Sequence, residues 1–157
     1  MQRPEIKTMA NLESAFAGES MAHIKYRYFA KIARAAGDEE TARVFEETAN
    51  QEVQHALGHL DLLYPKETLT PAKCLEMAIA GETYEYTEMY PGFLKTAQDE
   101  GNASAVSEIK GQITESKEHA AQFKATLDKA AKRFAALAKV EERHAKQYQA
   151  VLAKVAA

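Results

Sequence analysis

Apolar side chains recur along this chain at alternating spacings of three and four, the period of an amphipathic helix, and no run alternates at the period of two that marks a half-buried strand. Few residues interrupt the pattern. Gly37 followed by Asp38 reads as a helix end and the next N-cap, Tyr64-Pro65 closes a second helix, Thr70-Pro71 caps a third with proline at its first position, and Gly101-Asn102 repeats the end-and-cap signal. The pattern therefore predicts helices near 9–36, 39–63, 71–100 and 103–155. Pro91 lies inside the third, where its missing N–H predicts a kink. The last segment has no proline and only Gly111 as a weak breaker.

The core-facing seams carry an anomaly. The first reads Leu12, Phe16, Glu19, His23, Tyr26, Ala30; the second Phe45, Ala49, Glu52, Ala56, His59, with His55 one place off the line. The third reads Leu75, Ala78, Glu82, Glu85, Met89, Phe93, and the last runs from Val106 and Ile109 through Ser116, Ala120 and Phe123 to Phe134, Leu137, Glu141, His144, Tyr148 and Val151. Each apolar seam thus carries a carboxylate near mid-helix. A buried carboxylate is costly unless it is paired, hydrogen-bonded or bound to a metal. Lysine and arginine are absent from these seams, which leaves metal as the compensating cation.

Composition narrows the setting. A 157-residue chain that is 46% hydrophobic has enough apolar material for one domain, taken as 1–157. A net charge of −3 without a basic block gives no field for phosphate backbones, so nucleic acid is not an expected partner. No run approaches the roughly 18 to 20 apolar residues that span a bilayer, and the opening MQRPEIKTMANLESAF has no apolar leader, so no membrane association and a cytoplasmic location are expected. The single cysteine, Cys74, excludes a disulfide framework and CxxC metal knuckles; it fits a reducing compartment and reads as an inert helical residue. Lys129, Lys132 and Arg133 read as a solvated surface.

The carboxylates have metal-ligand spacing. Glu52 and His55 form an ExxH pair, Glu141 and His144 another, and Glu82 with Glu85 repeats the i,i+3 step that puts two side chains on one face. A ferritin-like di-metal site takes a Glu from each of two helices and a Glu-x-x-His from each of the other two, which is this inventory with Glu85 in addition. Hard carboxylates with two imidazoles suit iron or manganese. Glu19 precedes Gly37 by eighteen residues and Glu52 follows it by fifteen, so in an antiparallel hairpin their heights differ by roughly 4 to 5 Å.

The segments AFAGES, ETANQEVQHA, AIAGETYEYTEMYPGF and AKVEERHAKQY resemble the four ligand segments of the rubrerythrin family. The resemblance implies an all-α, ferritin-like four-helix bundle, with an extended or extra helical segment before the last ligand motif. It implies Glu19, Glu52, His55, Glu82, Glu85, Glu141 and His144 as ligands of two iron ions, with a manganese–iron pair as the alternative, and Glu52 and Glu141 as bridging carboxylates. Tyr26 and Tyr90 match tyrosines that hydrogen-bond ligand glutamates, and with Glu85 they form the expected catalytic set. The implied reaction is two-electron reduction of hydrogen peroxide to water, with ferroxidase-type iron handling as the alternative, and the implied assembly is a homodimer.

Two departures modify the expectation. Typical rubrerythrins append a four-cysteine rubredoxin domain, whereas this chain resembles the short erythrins, so electrons are expected from an external donor such as a rubredoxin or a reductase. The second departure is an insertion. Glu19 to Glu52 spans thirty-three positions and Glu82 to Glu141 fifty-nine; SKEHAAQFKATL from Ser116 parallels EERHAKQYQAVL from Glu141 at an offset of twenty-five, about seven helical turns. On one straight helix, Ser116 and His119 stand level with Glu82 while Glu141 lies roughly 30 to 40 Å beyond. Either the chain turns near Asp128 or the distal segment completes a bundle in a swapped partner. Glu141 and His144 are preferred, with Glu115 and His119 as the other pair. His23 and His59, each four residues beyond a proposed ligand, read as ordinary polar positions.

Overall fold

A computed structural model describes residues 7–155 of the chain. Among them every regular element is helical: α1 (Thr8–Ala35), α2 (Glu39–Leu63), a single 3-10 turn (Lys66–Thr68), α3 (Pro71–Tyr84), a π turn (Glu85–Met89), α4 (Tyr90–Asp99) and α5 (Ala103–Val155). None of these helices is long and apolar enough to cross a membrane. The chain divides into two compact units, Met1–Leu69 and Thr70–Ala157.

The first unit is the α1–α2 hairpin. Gly37 takes a left-handed φ of 82°, which a side chain would oppose, and this lets the Gly37 N–H reach the Arg34 carbonyl and the Asp38 N–H reach that of Ala33, each at 3.0 Å. The Asp38 carboxylate then accepts from Thr41 N at 2.9 Å, starting α2 at once. Alanine lies wherever the helices come closest: Ala30, Ala42, Ala49 and Ala56 are buried, the last three at heptad spacing. Larger contacts flank this seam. The Tyr26 and Phe29 rings lie 6.0 and 5.5 Å from that of Phe45, and Arg34 bridges the hairpin end, meeting Glu39 and Glu46 at 2.9 Å each.

The second unit uses the same turn chemistry. Thr70 caps α3 by accepting from Lys73 N at 3.1 Å, with Pro71 in the first turn. Gly101, at φ 69°, and Asn102 close α4 and open α5, as Gly37 and Asp38 do in the first unit; Asn102 N–H reaches the Ala97 carbonyl and its side chain accepts from Ala105 N. The kink expected at Pro91 takes the form of a π turn just before it. Proline has no N–H for the carbonyl of Thr87, and the chain shifts register so that the Tyr90 N–H bonds to Glu85 O, five residues back. α3 and α4 pack along the first half of α5, burying Ala97, Ser116 and Ala120.

α5 is one unbroken helix of 53 residues, about 80 Å long at 1.5 Å per residue. The turn near Asp128 that would have made 103–127 a separate helix does not occur. No glycine, proline or cap lies there, and Lys124 meets Asp128 at 3.0 Å, an i,i+4 pair that supports helix. Beyond Ala130 every described residue is exposed except the half-buried Val140.

Candidate metal centre

In the first unit, α1 and α2 bring Glu19, Glu52 and His55 together, with one ligand atom of each lying within 4.8 Å of the others. The i,i+3 step on α2 turns His55 toward Glu52, Nδ1 to Oε2 at 2.9 Å, and the short hairpin turn sets Glu19 at the same height on α1. Glu19 and Glu52 are half-buried. One turn beyond Glu19, His23 donates from Nδ1 to the Ala49 carbonyl at 2.7 Å, so it ties α1 to the α2 backbone, as an ordinary polar core residue does. Tyr26 packs against Phe29 and Phe45, and among the described residues its hydroxyl has no glutamate partner. His59 is half-buried on α2.

In the second unit Glu82 lies in the last turn of α3 and Glu85 opens the π turn. Across from them α5 presents Ser116 and His119. Ser116 is 3% exposed and donates from Oγ to Glu85 Oε2 at 2.8 Å, while His119 Nδ1 lies 3.4 Å from Glu82 Oε1. The other oxygen, Glu82 Oε2, is buried without a hydrogen-bond partner among the described residues. Tyr90 follows on α4, edge to face with Phe93. Burial pushes its phenol pKa up, and the charges of Glu85, Glu82, Glu108 and Glu115 push in the same direction, so Tyr90 is held as the neutral phenol.

Glu141 and His144 stand elsewhere. They face each other at 3.7 Å on the exposed half of α5, and the twenty-five residues from Ser116 to Glu141 amount to about 37 Å of helix. The unbroken helix therefore does not bring this pair to Glu82 and Glu85 of its own chain. The ExxH glutamate level with them is replaced by Ser116, a position whose meaning was legible only as the degenerate copy of the distal motif. Glu108, whose charge reaches Tyr90, gave no motif signal at all.

These donors fit a divalent metal. The carboxylates meet imidazoles rather than lysine or arginine, an orphaned buried oxygen points into the second cluster, and oxygen with imidazole nitrogen is a set that iron and manganese accept.

Helices that carry converging carboxylates and histidines define a class, the ferritin-like carboxylate-bridged metal proteins. The rubrerythrin family model matches residues 10–127, a segment that takes in Ser116 and His119 and stops before Glu141 and His144. Rubrerythrin of Porphyromonas gingivalis is 36% identical over 160 residues, which cover 95% of this chain and 68% of that protein. Nigerythrin of Nitratidesulfovibrio vulgaris is 40% identical over 111 residues, covering 63% of this chain and 55% of its own length. A solved structure of fully reduced, all-ferrous nigerythrin is 34% identical, covers 83% of this chain and 70% of that chain, and superposes with a TM-score of 0.40. The chain belongs to the rubrerythrin family. It is thereby a ferritin-like, all-α protein of the diiron class.

Proposed function

We propose that this protein reduces hydrogen peroxide to water at a diiron site in a reducing cytoplasm, drawing electrons from an external donor such as a rubredoxin or a reductase. The observation that carries the reading is the convergence of Glu19, Glu52 and His55 within 4.8 Å, with no lysine or arginine among them. Within the second unit, Glu82 and Glu85 are the proposed ligands on α3 and the π turn. For the α5 ligands we take the other pair, Glu115 and His119, because His119 already faces Glu82 and the charge of Glu115 reaches Tyr90, in place of Glu141 and His144 about seven turns further along. When bound, the metal pair supplies two electrons and Lewis-acid polarisation of the O–O bond.

The chain's own groups handle protons and position. Reduction of H2O2 to two waters consumes two electrons and two protons as the O–O bond breaks. Tyr90, whose proton is held more tightly by burial and by the nearby carboxylates, offers a phenol that donates a hydrogen bond at the cluster without ionising. Ser116 fixes one oxygen of Glu85 and leaves the other free, and the Glu52–His55 contact orients the imidazole.

Metal analysis followed by rapid mixing of the reduced protein tests the reading. Two irons per chain and reoxidation faster with peroxide than with dioxygen are expected. Equal or slower reoxidation by peroxide would sink the peroxidase reading, and turnover of many ferrous ions with a retained mineral would establish iron handling instead.

A further inference from the structure

The distal half of α5 carries an apolar stripe that is exposed among the described residues. Phe134, Leu137, Tyr148, Val151 and Val155 recur at spacings of three and four, and Phe134, Tyr148 and Val155 are 72%, 73% and 80% exposed. A stripe of this period is the seam of a two-helix coiled coil. At its centre lies one polar step, Glu141 and His144, flanked at equal distances by Leu137 and Tyr148 and then by Phe134 and Val151.

We propose that residues 130–155 pair antiparallel with the same segment of a second copy, about a two-fold axis between Glu141 and His144. Complementarity between a carboxylate acceptor and an imidazole donor in the polar layer selects both the partner and the direction. In this register Glu141 meets the second copy's His144, and the reciprocal pair forms by symmetry. Leu137 then meets Tyr148, Phe134 meets Val151, and Ala130 meets Val155. A parallel, in-register pair would instead oppose Glu141 to Glu141 inside the seam. A sliding antiparallel pair would bury both polar residues against apolar ones, so the central layer fixes register as single polar seam positions do in coiled coils. Ala138 and Ala145 flank the seam and let the backbones approach. Arg133 and Lys154 flank it near the ends, each close to the other of the opposite copy, so their repulsion opposes pairing until salt screens it.

The interface is independent of the proposed chemistry, since neither Glu141 nor His144 belongs to the ligand set adopted above. The test uses the full chain with Cys74→Ser, which removes the one native thiol. Leu137→Cys and Tyr148→Cys variants are prepared separately, then oxidised alone and mixed. Neither is expected to form a disulfide dimer alone, whereas the mixture is expected to yield the covalent heterodimer, more of it at higher salt. Self-linking of Leu137→Cys would overturn the proposal in favour of parallel pairing. No linking in the mixture would overturn it in favour of another cover for the stripe. Glu141→His alone should weaken heterodimer formation about tenfold, the equivalent of one charge-assisted hydrogen bond. Adding His144→Glu to it should restore linking. Circular dichroism confirms that each variant is helical. If both variants pair normally but bind less iron, Glu141 and His144 are ligands and the seam assignment falls, while the peroxidase reading stands.

Discussion

The two units assemble carboxylates and histidine with the same local devices, yet they differ at one position. Each reverses direction through a capped turn in which a left-handed glycine, Gly37 or Gly101, is followed by a side-chain cap, and each sets an i,i+3 pair on the helix after the turn against glutamate on the segment before it. On α2 the pair is Glu52 and His55; on α5 it is Ser116 and His119. The serine contributes a donor where the first unit contributes an acceptor and a charge. Ser116 meets part of the demand of Glu85 by hydrogen bonding, whereas among the described residues Glu19 and Glu52 converge on His55. The difference teaches that the serine meets the demand of Glu85 alone: Glu82 Oε2 in the second unit and the Glu19–Glu52 pair in the first still call for a cation.

The largest expected effect comes from removing that dependence. Glu52→Ala takes away the carboxylate that lies between Glu19 and His55, and iron affinity should fall by more than about 100-fold, beyond the range found for residues that only orient ligands. Elemental analysis after dialysis against a graded chelator would measure it. Retention of two irons per chain would break the comparison, because the first unit would not then need the cation.

The serine can be tested in both directions. Ser116→Ala leaves Glu85 Oε2 without its donor and should cost about 1 kcal/mol, or a fall in Tm of about 2 to 4 °C. Ser116→Glu makes the second unit resemble the first. It adds a carboxylate beside Glu82 and Glu85, so the metal-free protein should lose stability and ferrous ion should restore it, with a larger Tm rise than in the parent. A Ser116→Glu protein that is stabilised without metal would show that the second cluster is not limited by negative charge.

Much of this contrast was legible before any coordinates. Gly37, Pro65, Pro71 and Gly101 punctuate the sequence because left-handed φ values and the first helical turn each favour one residue type, so the helix boundaries follow within a residue or two. The absence of breakers after Gly101 made the long last helix legible as well, and the conflict between register and motif at Glu141 followed from it. The π turn was not legible. Pro91 announces a disturbance, but whether a helix kinks or changes register depends on how α3 and α4 pack on α5, which no local pattern encodes. Which copy of the duplicated motif faces Glu82 was equally beyond motif matching: His119 faces it, and Glu141 with His144 lies about seven turns further along the same unbroken helix. Tyr26 illustrates the same limit: the family pattern suggested a glutamate partner, and the structure surrounds it with Phe29 and Phe45.

Tyr90 offers a smaller effect that reads the second cluster alone. Its pKa is raised by burial first and by the carboxylates second, so the folded protein holds this proton more tightly than the unfolded chain does. The associated stability is therefore fully present below the ordinary tyrosine value of 10.0 and is lost as pH rises past it. Phenolate absorbance should show one tyrosine titrating late, and Tyr90→Phe should remove that component and flatten the decline of Tm above pH 10. Loss of a different component would mean that Tyr90 is not the phenol held by Glu85 and Glu82.

The smallest effect should come from the Arg34 bridge in the first unit, and its size separates the hairpin's ends from its centre. Arg34 meets Glu39 and Glu46 through two edges of its guanidinium, and those contacts hold both carboxyls below the ordinary glutamate value of 4.5. The sign is the reverse of that for Tyr90: a depressed carboxyl pKa supplies stability above 4.5 that is lost as pH falls through the folded value. All three side chains are solvated, so screening leaves little, and Arg34→Ala should lower Tm by about 2 °C or less at neutral pH and by nothing measurable at pH 3. Glu52 and His55 lie on the same hairpin but far from its turn, so iron content should be unchanged in this variant. A loss of iron on breaking an exposed bridge would mean that the hairpin transmits strain along its length, and the alanine seam of Ala42, Ala49 and Ala56, not the ligands, would then be what sets the geometry of the first cluster.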